Sequence, residues 1–362
     1  MQLEIIKFIK KYEDWEERLA VEPFCIKTKR DGDFVLLKYN QIKSDMTLNI
    51  VRECRGIILD EKNDFTPTCV PFFKFGNYGE SYVPSIDRKT ARIQEKLDGS
   101  LLKLWCYNNK WHISSNGEID ARNAHLHSAL LKRSISVSLY DLFTEAWEKT
   151  GVEIEKLDKN YTYLFELTSP HNRVVVKHND TEIHHIGTRD IRTLLECDMD
   201  IGISKPAEHK FDTLESCIES AKLLGYDREG YVVVDKSFNR VKVKSPLYVN
   251  LSHISQGVTT HSNIVEIIQK NEQDEFLTYF PEFNEVFSGV LGSITKFAKK
   301  QTEIFEEIRA QTFTARKDLA AVVTKTDCPG CIFALIDGKA STAHEWLMSR
   351  PAAKILEYIA DS

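Results

Sequence analysis

Between about residues 34 and 250 the chain keeps returning to short β-branched or alternating runs: FVLLKY, GIILD, SLLKLWCY, YTYLFEL, RVVVKH, YVVVD and RVKVK. Turn chemistry such as NNK, SNG and SPHN breaks them apart, which predicts an α+β domain built on largely antiparallel sheets. Two stretches between the runs read as helices. They are HSALLKRSISVSLYDLFTEAWEKTG and DTLESCIESAKLLGYD, the second with Asp212 as N-cap and Gly225 as C-cap. At the start of the chain Ile5, Phe8, Ile9, Tyr12 and Leu19 fall at helical spacing, and acidic residues throughout exclude a signal peptide.

From about residue 251 the pattern changes. Phe297, Ile304, Phe305 and Ile308 mark one helix face, and strand-like alternation nearly disappears. The expected organisation is a domain over residues 1–252, with antiparallel sheets flanked by helices, followed by a mostly α-helical domain over 253–362. A chain of 362 residues, 42% hydrophobic, is long and apolar enough for two cores.

No run approaches the length of a membrane span, so no membrane partner is expected. The formal net charge of -6 gives no global basic signature; affinity for nucleic acid would need cations concentrated on one surface. The eight cysteines are scattered, which suits reduced thiols in a cytoplasm. Cys328 and Cys331, in DCPGC, form the one close pair. A zinc site would want a second pair at similar spacing, so a plain turn is expected there.

The sequence has no G-x-x-x-x-G-K-[ST] phosphate loop, no H-E-x-x-H and no G-x-S-x-G. It does contain, in order, EKLDG, FELTSP, REGYVVV and RVKVKSPLY. In RVKVK a strand's period of two puts Arg240, Lys242 and Lys244 on one face and Val241 and Val243 on the other. Such a row of cations over an apolar layer suits phosphates; it equally suits a solvated edge strand whose lysines resist aggregation.

With these motifs in this order, the sequence resembles the lysine-nucleotidyltransferase superfamily, and within it the type-one, tRNA-repair RNA ligases of T-even bacteriophages. The resemblance runs from about residue 34 to 255. It is carried by KYN (Tyr39), ECRGIIL (Arg55), PFFKFGN (Lys74), KLDGSL (Lys96), FELTSPHNRVVV (Glu166), EGYV (Glu229) and KVKSPLYV (Lys242, Lys244, Tyr248). It implies an ATP-dependent, Mg2+-requiring ligase joining RNA 5′-phosphate and 3′-hydroxyl ends. Lys96 would attack the α-phosphate of ATP to give lysyl-AMP, and AMP would then pass to the RNA 5′-phosphate.

The resemblance also implies that Glu166 binds the ribose hydroxyls, that Arg55 and Lys74 contact phosphates, and that Tyr39 contacts the nucleotide. Lys242 and Lys244 stabilise the charge on the α-phosphate, Glu229 serves as a metal-shell carboxylate or sugar contact, and Tyr248 matches a tyrosine the family needs. Asp274 falls near an acidic, metal-binding position. Asp98 would position the lysine or the metal shell, or simply stabilise its turn, and Gly99 would leave room for the nucleotide.

A free lysine, pKa ~10.4, is neutral only about one part in a thousand near pH ~7.4. Desolvation and the charges of Lys242 and Lys244 are expected to depress Lys96. One departure stands out: the family lysine in an S-K-G segment is replaced here by Asn116, in SSNGE.

The implied substrate is RNA, single-stranded or a broken tRNA, with a polynucleotide kinase-phosphatase preparing its ends, in a host bacterial cytoplasm. The helical domain would choose the RNA, and Lys296, Lys299 and Lys300 would reach its backbone or be only an exposed helix face. A DNA ligase or capping enzyme shares the first step. Both usually append an OB barrel, against which the helical character after residue 255 argues. The rival from another class is a non-catalytic RNA-end-binding protein.

Overall fold

The computed structural model describes residues 3–126, 136–257, 261–271, 273–279 and 281–360. They form two compact units, one reaching His253 and the other starting at Ile254. The first holds three antiparallel sheets. In one, β1 (Ile26–Asp31), β2 (Phe34–Tyr39), β3 (Arg55–Asp60) and β4 (Thr66–Cys69) lie side by side in chain order. The second and third sheets together take β5 (Arg92–Lys96), β6 (Ser100–Tyr107), β7 (Lys110–Ser115), β10 (Tyr161–Thr168), β11 (Glu182–Asp190), β12 (Glu196–Cys197), β13 (Glu208–His209), β14 (Gly230–Val234) and β15 (Arg240–Lys244). Their orders are β12-β11-β10-β6-β7 and β13-β5-β14-β15. A short pair, β8 (His125–Leu126) and β9 (Val137–Ser138), completes the strands described.

The uninterrupted apolar run in β2 follows from burial on both faces. Val35 and Leu37 pack under α1 (Glu4–Lys11), α2 (Trp15–Ala20) and α3 (Asn49–Glu53), while Leu36 joins Ile58, Cys69 and Trp105 on the other side. The first turn of α1 has no cap from its own segment. Glu53 supplies one from afar, accepting from the Glu4 and Ile5 N–H groups at 3.1 and 2.8 Å.

The second sheet packs on α4 (Leu139–Thr150), which starts on a Ser138–Asp141 capping box and stops at Gly151, φ 71°. The helix expected over 127–151 is therefore helical only from Leu139, because Val137 and Ser138 pair with β8; residues 127–135 lie outside those described. The third sheet packs on α5 (Leu214–Lys222). Its caps are Thr213 and Leu223, not Asp212 and Gly225, because Thr213 and Ser216 have the three-residue spacing that closes a reciprocal box.

The expected strand RVVVKH does not form. The Val175 and Val176 N–H groups donate to one oxygen of Asp98 at 2.8 and 2.7 Å, so the backbone here is satisfied by a carboxylate instead of a neighbouring strand. The other six runs are strands. After β15, α6 (Pro246–Gly257) begins at Ser245, whose hydroxyl accepts the Tyr248 N–H, with proline at the first helical position.

The second unit is helical: α7 (His261–Gln269), α8 (Gln273–Tyr279), α9 (Asn284–Arg309), α10 (Arg316–Val323), α11 (Pro329–Ile336), α12 (Ala343–Met348) and α13 (Ala352–Ala360). Phe297 and Ile308 are buried on α9, and Ile304 and Phe305 pack on Ile308, Val323 and Ile332. DCPGC is the start of α11, with Cys328 as N-cap and both thiols buried and free.

Candidate active site

The third sheet turns two faces to different surroundings. Ile93, Val233, Val241 and Val243 enter its core, while Gln94, Lys96, Val232, Arg240 and Lys242 line a cavity of ≈ 220 Å³. Glu166, Leu101, Ile186, Arg55, Asn116, Phe72 and Phe75 also line it. Two buried polar atoms in this wall, Arg55 Nη1 and Asn116 Oδ1, have no hydrogen-bond partner among the described residues. An unmet donor and an unmet acceptor in an aromatic-walled pocket fit a polar, planar ligand such as a nucleotide.

Strand pairing assembles the charged edge of this cavity. Gly230 sits opposite Lys96 on one side and Lys244 on the other. Its φ of +140° and the 2.2 Å that would separate a Cβ from the Val243 carbonyl oxygen explain why glycine stands there. The preceding residue, Glu229, is 4% exposed; its Oε2 lies 2.7 Å from Lys96 Nζ and its Oε1 2.8 Å from Lys244 Nζ.

These contacts reverse the expectation for Lys96. Burial pulls its pKa down, but Glu229, Glu166 and Asp98 together outweigh it and hold the amine above the ordinary lysine value. The depressed amine is Lys242, which burial and the charges of Lys74, Arg55, Lys96 and Lys244 push to about 6. Its Nζ lies 4.8 Å from the centre of the Phe75 ring. Burial likewise raises Glu166 to about 7, with Glu229 and Asp98 repelling against the pull of Lys96 and Arg55.

Asp98 is fully engaged. Besides Val175 and Val176 it accepts from the Tyr248 hydroxyl at 2.7 Å, and its carbonyl oxygen lies 2.8 Å from His178 Nε2. Tyr248 is buried, and burial with the nearby carboxylates raises its phenol. Gly99 also differs from expectation: a Cβ there would lie 2.2 Å from the Leu167 carbonyl oxygen, so the neighbouring strand's backbone demands the glycine.

Tyr39 is buried at the end of β2 with Lys74 Nζ 5.4 Å from its ring centre. Burial and Arg55 lower Lys74, and burial lowers Arg55, whose guanidinium lies 5.3 Å from the Phe75 ring. Arg240 shares a face with Lys242 as the spacing predicts, but it is buried, pairs with Glu196 and covers the Phe72 ring at 4.1 Å.

Sequence reasoning missed Lys103. It is wholly buried, donates to the Gly56 carbonyl, and burial lowers it to about 8. Its signal was available: the one charge inside SLLKLW, at a position where β6 faces another sheet. Asp274 lies exposed on α8 in the second unit. No group of three or more His, Cys, Asp or Glu suited to a metal ion occurs among the described residues.

The antiparallel sheets bring a strand-end lysine, a half-buried glutamate and a K-x-K strand to one cavity, as the resemblance to the lysine-nucleotidyltransferase superfamily leads one to expect. The chain belongs to the RNA ligase family of the T4 type-one kind, whose model, described as RNA ligase, matches residues 53–248.

Among curated relatives, a putative bifunctional polynucleotide kinase/RNA ligase of Autographa californica nuclear polyhedrosis virus is 27% identical over 76% of this chain. The match spans 42% of that longer protein. The RNA ligase of Rhodothermus phage RM378 is 25% identical, covering 84% of this chain and 81% of its own. Among solved structures, an archaeal ATP-dependent RNA ligase is similar at TM-score 0.46 and 12% identity, over 80% of this chain and 82% of that one. A Naegleria gruberi RNA ligase with ATP and Mn is similar at TM-score 0.35 and 12% identity, over 46% and 52%. The family assignment rests on the family model.

Proposed function

We propose that the protein is an ATP-dependent RNA ligase that seals 5′-phosphate and 3′-hydroxyl ends through lysyl-AMP and RNA-adenylate. The observation that carries this reading is the Lys96–Glu229–Lys244 arrangement at the edge of a polar cavity of ≈ 220 Å³. Lys96 Nζ attacks the α-phosphorus of ATP, forming an N–P bond as the bridging P–O bond to the β-phosphate breaks and pyrophosphate leaves. An oxygen of the RNA 5′-phosphate then takes AMP from Lys96. The 3′-hydroxyl attacks that phosphate, and AMP departs.

Attack requires a neutral amine, so the pair of Lys96 with Glu229 must part first. Lys242, Lys244 and Arg55 face the developing phosphate charge, Lys74 the pyrophosphate side, Glu166 the ribose hydroxyls and Tyr39 the nucleotide. The carboxylates offer a divalent cation no all-protein cage, since Glu229 and Asp98 already hold partners. Mg2+ held through water and phosphates fits that setting and would supply charge neutralisation. Asp274 is proposed as a further metal contact.

The second unit is proposed to choose the RNA, a broken tRNA or another single-stranded end, after a polynucleotide kinase-phosphatase has prepared it. The putative bifunctional polynucleotide kinase/RNA ligase of the baculovirus, which joins the two activities in one protein, supports that pairing. Lys300 pairs with Asp327 and Lys299 with Glu303, so these lysines favour an exposed helix face over an RNA contact. No described helix is long and apolar enough to cross a membrane. A cytoplasmic site of action, in a bacterial host, is part of the proposal.

Incubation with α-labelled ATP and Mg2+ tests the first step: label should attach in an acid-labile, alkali-stable bond and be absent from Lys96→Ala. Circularisation of a 5′-phosphorylated RNA, beside a matched DNA and a nicked duplex, tests the branch. Preference for the nicked duplex would overturn it.

A further inference from the structure

Lys242 is bound on its open side by a turn whose side chains the chemistry above leaves unused. Its N–H donates to the Gly76 carbonyl at 3.0 Å, and its carbonyl accepts from the Tyr78 N–H at 2.8 Å, a parallel bridge centred on Asn77. The turn is locked internally. Asn77 donates to Glu80 from its backbone at 2.8 Å and from its side-chain amide at 2.7 Å, and the Glu80 N–H returns to the Asn77 carbonyl at 3.1 Å.

Tyr78 rides on this turn, 52% exposed. Its ring joins none of the hydrophobic clusters and has no aromatic, cationic or hydrogen-bonding partner among the described residues. The neighbouring Asn77 Oδ1 is buried and unpartnered there too. An exposed aromatic ring without a partner among the described residues, on a turn bridged to the backbone of Lys242, has the make-up of a base-stacking platform, because any nucleobase can lie on it while its phosphate reaches the lysine row.

We propose that Tyr78 stacks on the terminal nucleobase of the RNA strand whose phosphate lies at Lys242. This rests on the RNA-ligase reading. That strand is the 5′-phosphorylated one, so its first base is the occupant.

The test uses the full chain and single-stranded RNAs carrying 2-aminopurine at the 5′-phosphorylated end or at the 3′ end. Binding to the wild type should quench the 5′-end probe, and quenching of the 3′-end probe alone overturns the proposal. Tyr78→Ala should lose that quenching and raise KM for RNA roughly tenfold, with a far smaller effect on lysyl-AMP labelling. Tyr78→Phe, which keeps the ring, should restore both. Unchanged quenching and KM in Tyr78→Ala overturn the proposal. Equal losses of labelling and RNA binding also overturn it, since the ring would then merely support Lys242. Wild-type protein that takes no label from ATP defeats the ligase reading itself, a separate result.

Discussion

Glu229 holds Lys96 at 2.7 Å with one carboxylate oxygen while the other holds Lys244 at 2.8 Å, so the candidate nucleophile rests charged. Its folded pKa lies above the ordinary lysine value, and the neutral fraction therefore grows only as pH climbs. Single-turnover lysyl-AMP formation should rise steadily from pH ~7 to beyond ~9. Glu229→Gln should be slower overall, with its midpoint moved to lower pH. A pH–rate profile with labelled ATP reads this; an unmoved midpoint contradicts the clamp.

Lys242 is held to about 6, far below an unfolded lysine at ~10.4. Below pH ~6 the protein carries the full cost of a charged amine in the cavity, and the cost shrinks as pH rises, vanishing only above ~10.4 where both states are neutral. Lys242→Met should therefore abolish ligation yet raise Tm at pH 7 by several degrees. The gain should diminish by pH 9.5. Thermal melts at the two pH values, without nucleotide, decide it.

Asp98 receives two backbone N–H groups on one oxygen and the Tyr248 hydroxyl on the other. Asparagine can replace only one oxygen's role, so Asp98→Asn should cost about 1–3 kcal/mol, and Tyr248→Phe about 1 kcal/mol. Removing both should cost less than the sum by at least ~0.5 kcal/mol. Urea unfolding of the four proteins in the cycle measures that coupling, and strict additivity would contradict it.

Gly99→Ala would set a methyl 2.2 Å from the Leu167 carbonyl oxygen, backbone against backbone, with no side chain able to give way. A loss of about 1–3 kcal/mol is expected. Because Leu167 follows Glu166 on β10, lysyl-AMP formation should fall with it, which labelling and denaturant unfolding together would register.

What the sequence made legible was whatever depends on period alone. RVKVK presents its cations and valines as alternation dictates, and SLLKLWCY and FVLLKY are strands over their full lengths. RVVVKH shows the same β-branched pattern and is no strand, because its donors go to Asp98, a residue 77 positions away for Val175. The state of Lys96 is hidden from the sequence for the same reason. The burial of the strand end could be read from the sequence, but the carboxylates that outweigh it, Glu229 above all, gather only when β14 pairs with β5. Arg240 reads as a free cation until Glu196 and Phe72 are placed around it.

That pairing also governs when the site comes into being. Lys96 and Glu229 lie 133 positions apart, and Gly230 needs Lys96 on one flank and Lys244 on the other. On the proposed mechanism, a nascent chain should be unable to load itself with AMP until the segment ending at Tyr248 has left the ribosome. Truncated translation products carrying only the first half should, on the proposed mechanism, be inert, neither draining ATP nor stranding RNA ends as dead adenylates.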